Sequence, residues 1–429
     1  MEASSTLARG LSDLALGAGD TFAAFLRISV EWAILLWSCA RLGVAFAPIN
    51  PAFLERPDDL RHILRVLLPK DVLCLGSGFA KHVDAACDEI PRASATVRIA
   101  LRKESPLRHG WMLFEEIARC TEPLESSPHA ATSVRDVSTS IAEQAAMVLL
   151  TSGTTSLPKA CPYTAHNLHA QSIAFQHIRQ MRPHHKCLIL GPLFHIQSVW
   201  NTLMAWRAGA AICLPCSSYD AAGAIKGIGP ATCSHTSCGP SMIRAMITHP
   251  DSSERGYAHI KALALGSDII SHGLIVDSQQ AFRAQKVFAG WGMTETIGCI
   301  SLSTEQTMLW HDGTPNFGFV TPGNAARICR PAGRELVRRG ELGELHVSGA
   351  AVIRGYMEGV RLKHDDSFYT KGGRDWFVTG DLSVMDEVGS IYIKGRTKDM
   401  VIRGGENLIP AAMEDLLNGI EGIKVRYSS

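Results

Sequence analysis

Almost no net charge remains once 42 Lys and Arg are set against 41 Asp and Glu, which leaves a formal +1. No basic tail or stripe is available to follow a phosphate backbone, so nucleic-acid binding is excluded as an expectation. No apolar run can span a bilayer either: the most apolar N-terminal stretch, Trp32 to Phe46, is broken by Arg41 and preceded by Arg27 and Glu31. It reads as a buried helix. A charged start, apolar core and small-residue cleavage site do not occur in signal-peptide order, and Arg426-Tyr427-Ser428-Ser429 is not a peroxisomal tripeptide. The expected location is the cytoplasm. Fixed-period repeats and low-complexity segments are missing too, which sets aside solenoids and linker architectures.

Cysteine, by contrast, is plentiful. Twelve are scattered through segments that read as strands and helices, as reduced thiols packed like small apolar groups would be. Cys213-Leu214-Pro215-Cys216 with Cys233, Cys238 and His235 could be tested as a zinc site, but the spacing of the second pair is loose and buried free thiols are the default. Hydrophobic residues at 46% and charged residues at 19% describe an ordinary globular protein. At 429 residues it should hold two or three domains or subdomains.

The order of elements reads as α/β. A helical run from Phe22 to Leu42 stops at Gly43 and is followed by a short strand in Val44-Ala45-Phe46-Ala47; Asp71 to Gly76 is the next strand. A polar, Ser-rich connection from Glu122 to Ser140 leads to the apolar run Ala145 to Leu150. Further strands are expected at Lys186 to Gly191, Ala210 to Pro215, Lys261 to Leu265 and Lys286 to Ala289, with helices at Gln197 to Arg207 and after Gly239-Pro240. Such alternation implies a largely parallel sheet whose ligands sit beyond the carboxyl ends of the strands. Past Phe317 short strands and Gly-rich turns take over, at Ala325 to Cys329, Glu344 to Ser348, Trp376 to Thr379 and Ser390 to Lys394, as in a smaller β subdomain.

Four stretches carry candidate chemistry. Thr151-Ser152-Gly153-Thr154-Thr155-Ser156-Leu157-Pro158-Lys159 follows the apolar run and offers hydroxyls, a flexible Gly and a cation. That is either a phosphate trap or a polar turn, and it is not a P-loop, since Pro158 stands where the second Gly would be. Gly290-Trp291-Gly292-Met293-Thr294-Glu295-Thr296 directly follows the strand at Lys286 to Ala289. Trp291 offers a flat face and Glu295 a hard oxygen suited to Mg²⁺, or the pair is a solvated Glu beside a core Trp. Asp381 in Val378-Thr379-Gly380-Asp381-Leu382 could accept from vicinal ribose hydroxyls or cap a turn. The cations from Lys394 to Asn407 fit a phosphate site or a solvated hairpin.

In this order the four stretches, ending in Gly395-Arg396-Thr397-Lys398-Asp399 and Gly404-Gly405-Glu406-Asn407, resemble the adenylate-forming (AMP-binding) superfamily of acyl-CoA synthetases, firefly luciferases and peptide-synthetase adenylation domains. The likeness runs from about Leu42 to the last residue and is nearest the acyl-CoA synthetases. Ala47-Pro48-Ile49-Asn50-Pro51, Pro192-Leu193-Phe194-His195, Leu265-Gly266-Ser267-Asp268 and Arg354-Gly355-Tyr356 agree with it. It implies an α/β fold with a large N-terminal domain of parallel-rich sheets and flanking helices over residues 1–316, its β subdomain over 317–394, and a truncated small C-terminal domain from 395 to 429.

The implied reaction has two steps. A carboxylate attacks the α-phosphorus of ATP to give acyl-AMP and pyrophosphate, and a thiol, usually CoA, displaces AMP. By this similarity Thr151, Ser152, Gly153, Thr154, Thr155 and Lys159 would grip phosphates, Thr294 would touch the α-phosphate, and Glu295 would hold Mg²⁺. Trp291, where the family more often has Tyr, would lie with Gly292, Ser267 and Asp268 about the adenine, and Asp381 and Arg396 would bind the ribose. His195 matches the gate at the carboxylate end of the acyl pocket, Lys398 the hinge of the small domain, and Gly404 and Gly405 the thiol channel.

Departures are equally specific. Ser156 and Ala160 replace common glycines, and Ser198 replaces a small Gly after His195, which implies a reshaped acyl pocket and a specialised pathway. Two other readings stay open: a catalytically silent nucleotide-binding relative, and an adenylation module that loads a phosphopantetheine carrier protein. The family's late Lys, in a Pro-x-Thr-x-x-Gly-Lys context, is absent, Lys424 being the last lysine. Loss of one donor to a developing anion costs about a hundred- to a thousandfold in rate, so this polypeptide is expected to adenylate slowly. ATP–pyrophosphate exchange at the full speed of the family would refute that.

Overall fold

The computed structural model describes residues 2–90, 97–119, 145–151, 157–252, 256–268, 270–303, 310–311, 314–399, 401–403 and 406–408. The chain forms two units, one of Met1–His169, Gly191–Val199 and Ile353–Asp365, the other of Ala170–Leu190, Trp200–Val352 and Asp366–Ser429. The expected connection from Glu122 to Ser140 and everything after Leu408 lie outside the described residues.

The first unit is built on a nine-stranded sheet among the described residues. Its strands run in the order Arg361–Lys363, Tyr356–Glu358, Ala160–Thr164, Ala145–Leu150, Ala45–Ile49, Thr21–Phe25, Asp71–Gly76, Val97–Arg102 and Trp111–Leu113. From Ala145–Leu150 to Trp111–Leu113 every pairing is parallel, and the other edge is antiparallel. Helix Pro57–Leu67 shows how the sequence covers this sheet. Pro57 opens it, Asp58 and Asp59 sit in its first turn, and Leu60, Ile63, Leu64 and Leu67 fall on one buried face at helical spacing. That face joins Phe25, Val72, Cys74 and Met357 in the core. Full burial of such side chains is worth about 1.5–3 kcal/mol each.

The expected helix from Phe22 to Leu42 is corrected. Residues Thr21–Phe25 form a strand buried along its whole length, and only Val30–Leu42 is helical. Thr-Phe-Ala-Ala-Phe is short and apolar, a pattern that periodicity does not separate from helix; the tie is broken by parallel partners on both sides, Ala45–Ile49 and Asp71–Gly76. Gly43 ends the helix as expected, at φ +68°, with its N–H donating to the carbonyls of Cys39 and Ala40.

The second unit holds two larger sheets. One runs Phe319–Val320, Gly298–Leu302, Val287–Met293, Ala262–Leu265, His235–Cys238, Lys186–Ile189 and Ala211–Cys213, parallel from Val287–Met293 onward. Helices Ile196–Arg207, Ala221–Ile228, Pro240–Ile247 and His272–Phe282 alternate with its strands. The other sheet is antiparallel, with Asn324–Cys329, Gly343–Gly349, Arg374–Met385, Phe368–Lys371 and Ile391–Arg396. Leu188, Leu263, Leu265, Ala289, Ile300, Leu345, Val347 and Ile391 share one core. Cys233 and Cys238 are buried thiols, pushed upward in pKa by desolvation, Cys238 to about 12. Among the described residues no helix is long and apolar enough to cross a membrane.

Asp71 is an expense built into the first sheet. It is fully buried at the head of its strand, and burial pushes its carboxyl up to about 7 against the pull of Lys70. A carboxyl raised in the folded state contributes its full stability below its unfolded pKa of about 3.9 and loses it as pH rises through the folded value. Asp71→Asn should therefore raise the melting temperature at about pH 8 and change it little at about pH 4. An equal shift at both pH values in thermal unfolding would contradict this assignment.

Candidate active site

The strand expected at Lys286 to Ala289 runs further than its sequence suggests. It spans Val287–Met293 and carries Gly290, Trp291 and Gly292 within it, so the motif is the end of the strand rather than a loop after it. Its antiparallel neighbour Gly298–Leu302 explains the glycines. A Cβ on Gly292 would stand 1.9 Å from the Gly298 carbonyl oxygen, and one on Gly290 would meet Cys299 Sγ at 2.8 Å. Trp291 alone in this triplet carries a side chain, and it is 7% exposed. The chain then tightens into the turn Thr294–Thr296, held by Thr296 Oγ1, which accepts from Met293 N–H at 2.9 Å and donates to the Gly298 carbonyl at 2.7 Å. Thr294 is half-buried and the Glu295 carboxylate is 8% exposed.

Asp381 lies in the long strand Arg374–Met385, directly after Gly380 at φ +76°, a conformation that favours Gly. Thr379 Oγ1 fixes this kink by donating to the Leu345 carbonyl at 2.8 Å and accepting from Asp381 N–H at 3.0 Å. The Asp381 carboxylate is 5% exposed. Trp291 Nε1 donates to its Oδ2 at 2.8 Å and Arg396 Nε to its Oδ1 at 3.0 Å. Arg396 is its register partner on the neighbouring strand Ile391–Arg396. Burial lifts the Asp381 pKa, while the Arg396 charge and the Trp291 N–H hold it down. Trp291 and Arg396 thus hold one oxygen each of a buried carboxyl, with half of its acceptor sites left for other donors.

Ser267 and Asp268 follow the strand Ala262–Leu265 and are exposed at its carboxyl end, Ser267 at φ +73°. A non-Gly residue in the left-handed region costs about 1–3 kcal/mol and tends to mark a working site. Lys398 is exposed in the turn Thr397–Asp399. Gly404 and Gly405 lie outside the described residues, between the paired strands Val401–Arg403 and Glu406–Leu408.

In the first unit, Thr151 and Lys159 close the Ser/Thr-rich stretch at its base. Thr151 N–H donates to the Lys159 carbonyl at 2.9 Å, and Lys159 N–H donates to Thr151 Oγ1 at 3.0 Å. Ser152, Gly153, Thr154 and Thr155 lie outside the described residues. The Lys159 ammonium donates to Asp365 Oδ2 at 2.7 Å and sits 4.4 Å from the centre of the Tyr356 ring. His195 heads the helix Ile196–Arg207, and burial pushes its pKa down. Ser198, three residues on, is buried; a Cβ on Gly191 would stand 2.7 Å from its hydroxyl oxygen.

A family model described as AMP-binding enzyme matches residues 1–357. The chain belongs to the AMP-binding enzyme family. Within this family it stands with the acyl-CoA synthetases, the AMP-forming acid–thiol ligases. It is 25% identical to an acyl–CoA ligase of Pestalotiopsis microspora, over 97% of this chain and 72% of that protein. The crystal structure of ATP-bound MatB from Rhodopseudomonas palustris superposes with a TM-score of 0.83 at 23% identity, covering 99% of this chain and 78% of that one. O-succinylbenzoate coenzyme A synthetase (MenE) from Bacillus subtilis, in complex with ATP and magnesium ion, gives 0.76 at 21% identity, over 97% and 78%.

Two features of this chain went unread in the sequence. Asp365 engages Lys159 across 206 residues of chain, and Tyr356 lies beside the same ammonium; the signal for this was the Arg354-Gly355-Tyr356 stretch with an acidic pair after it. The second is a buried arginine, Arg179, which donates to Ser237 and to the Thr236 carbonyl. The Trp291–Asp381 bond makes a measurable claim. A hydrogen bond to a charged group contributes about 1.5–3 kcal/mol, so Trp291→Phe should lower stability by that order in urea unfolding. In a double-mutant cycle with Asp381→Asn the coupling should exceed about 1 kcal/mol, and strict additivity would show that the bond does not form.

Proposed function

We infer that the chain uses ATP to activate a carboxylic acid as acyl-AMP and passes the acyl group to the thiol of CoA, in a specialised pathway. The observation that carries this reading is the Asp381 carboxylate, buried at a Gly turn with one oxygen held by Trp291 and the other by Arg396. It is a fixed acceptor for the vicinal hydroxyls of a ribose, and Arg396 supports the same sugar. Trp291, Gly292, Ser267 and Asp268 frame the adenine.

At the phosphates, neutralisation and in-line placement matter more than covalent help. Thr151 and Lys159 frame the phosphate stretch, with Ser152, Gly153, Thr154 and Thr155 between them as donors. An ion pair as open as Lys159–Asp365 is worth about 0–1 kcal/mol, so a phosphate can take over the ammonium at little cost. Thr294 reaches the α-phosphate. The buried Glu295 carboxylate fits Mg²⁺, which takes one or two protein carboxylates together with phosphate oxygens; when bound, the ion offsets phosphate charge. The acid's carboxylate oxygen attacks the α-phosphorus and pyrophosphate leaves. The CoA thiol then attacks the acyl carbonyl and AMP leaves. His195, kept neutral near pH 7 by burial, guards the carboxylate without adding charge. Lys398 is the hinge of a small domain that begins near residue 395, and Gly404 and Gly405 line the thiol channel.

CoA is favoured over a phosphopantetheine carrier by likeness to an acyl–CoA ligase. Buried Ser198 supports a pocket suited to an uncommon acid. Free buried thiols such as Cys39, Cys74 and Cys187 suit the reducing cytoplasm. With ATP, Mg²⁺, CoA and a panel of acids, hydroxylamine should trap acyl-AMP as hydroxamate, and Lys159→Ala or Glu295→Ala should cut the signal by about a hundred- to a thousandfold. Nucleotide binding without turnover would favour the silent relative instead.

A further inference from the structure

Lys159 is held in place by groups of its own unit, backbone first. Thr151 and Lys159 exchange two hydrogen bonds at the base of the Ser/Thr-rich stretch, and His62 Nε2, on helix Pro57–Leu67, lies 2.9 Å from the Pro158 carbonyl oxygen. Beside this base runs the edge hairpin of Tyr356–Glu358 and Arg361–Lys363, with Met357 in register with Ala160. Its turn is pinned to the same helix, since Gly359 N–H donates to the Val66 carbonyl at 2.7 Å. The hairpin thereby brings two groups to the lysine. The ammonium sits 4.4 Å from the centre of the Tyr356 ring and donates to Oδ2 of Asp365, just past the hairpin, at 2.7 Å.

This is a poor arrangement for stability. The side chains of Lys159 and Asp365 are 45% and 34% exposed, and an ion pair that open adds almost nothing to folding. Its effect falls instead on any anion that approaches the lysine. A carboxylate at bonding distance fills one of the three donor directions of the ammonium, where a phosphate oxygen would otherwise bind, and once displaced it remains nearby as a like charge. Tyr356 acts differently. Its ring attracts the ammonium through the π face and so competes with no phosphate.

We propose that Asp365 is an internal competitor for phosphate at Lys159: its carboxylate engages the ammonium when no polyphosphate is bound, weakens polyphosphate binding, and retakes the lysine as pyrophosphate leaves. This rests on the ligase reading for Lys159 as a phosphate ligand. Asp365 is a positioning residue, because it acts through Lys159 and touches no reacting atom. The tightest grip on ATP is forgone, and release of pyrophosphate is hastened.

Inorganic pyrophosphate, titrated calorimetrically into the full chain with Mg²⁺, tests this without turnover. Asp365→Asn should bind it about 3- to 5-fold more tightly, the fold-change that matches the worth of an open ion pair. Inhibition of hydroxamate formation by pyrophosphate should strengthen by the same factor. Asp365→Glu keeps the charge and should stay within about twofold of the native chain. The sign of the effect separates competition from support, because losing a merely structural contact lowers affinity. In a Lys159→Met background, Asp365→Asn should gain nothing. Unchanged, weaker or absent binding by Asp365→Asn, or the full gain without Lys159, overturns the proposal. Hydroxamate formation with unchanged pyrophosphate affinity in Asp365→Asn would leave the ligase reading standing without it, and a Lys159-dependent gain in a chain that forms no hydroxamate would do the reverse.

Discussion

Two donors reach the buried Asp381 carboxyl from different parts of the chain, against the desolvation that raises its pKa. Desolvation alone would drive a carboxyl at that depth toward its neutral form. Arg396 brings a charge from the next strand and Trp291 brings an indole N–H from another sheet of the same unit, and between them they oppose that shift. The carboxyl in turn fixes the edge of the Trp291 ring and the direction of Arg396. A Gly at 380, a hydroxyl at 379 and the length of the strand Val287–Met293 all follow from the need to place this one group.

Close approach of backbones is the second constraint. Gly292 lies so near Gly298 that any side chain would collide with main chain, and the same crowding pushes the only bulk of the triplet onto Trp291. The motif is thus first a statement about strand packing, and only through it a statement about ligands. The first unit solves a different problem. It keeps a cation beside a Ser/Thr-rich stretch by giving it a weak, half-open partner in Asp365 and the face of Tyr356. A weak partner holds the ammonium in place and can still be exchanged.

Buried polarity is handled unevenly in the second unit. His235 is satisfied, between Ser234 and the Arg179 carbonyl, and burial holds its pKa down at about 3. Arg179, on the same path, is left with neutral acceptors and an idle Nε. A core selected for stability alone would replace such a charge with an apolar side chain of similar volume.

Local pattern was enough for much of the fold. Alternating strand and helix signals located several elements between Asp71 and Ala289, among them Asp71–Gly76, Ala145–Leu150 and Ala262–Leu265, but not Val97–Arg102, Ala160–Thr164 or His235–Cys238, and the stop at Gly43 was readable because a left-handed cap favours Gly. Pattern failed at Thr21–Phe25, where the buried residues from Phe22 on read as helix until two parallel neighbours made them a strand. Of the candidate site, the residue types and their order were legible: a hydroxyl-rich stretch ending in Lys159, an acid after Trp291, and an acid after Gly380. What those side chains touch was not. Hydrogen bonds such as Trp291 to Asp381 and Lys159 to Asp365 join positions 90 and 206 residues apart, and nothing in either neighbourhood encodes the other. Sequence determines which chemistry each segment can offer, because that depends on side chains and local backbone. Only the tertiary structure decides which offers meet, because burial and partner geometry are properties of the packed chain.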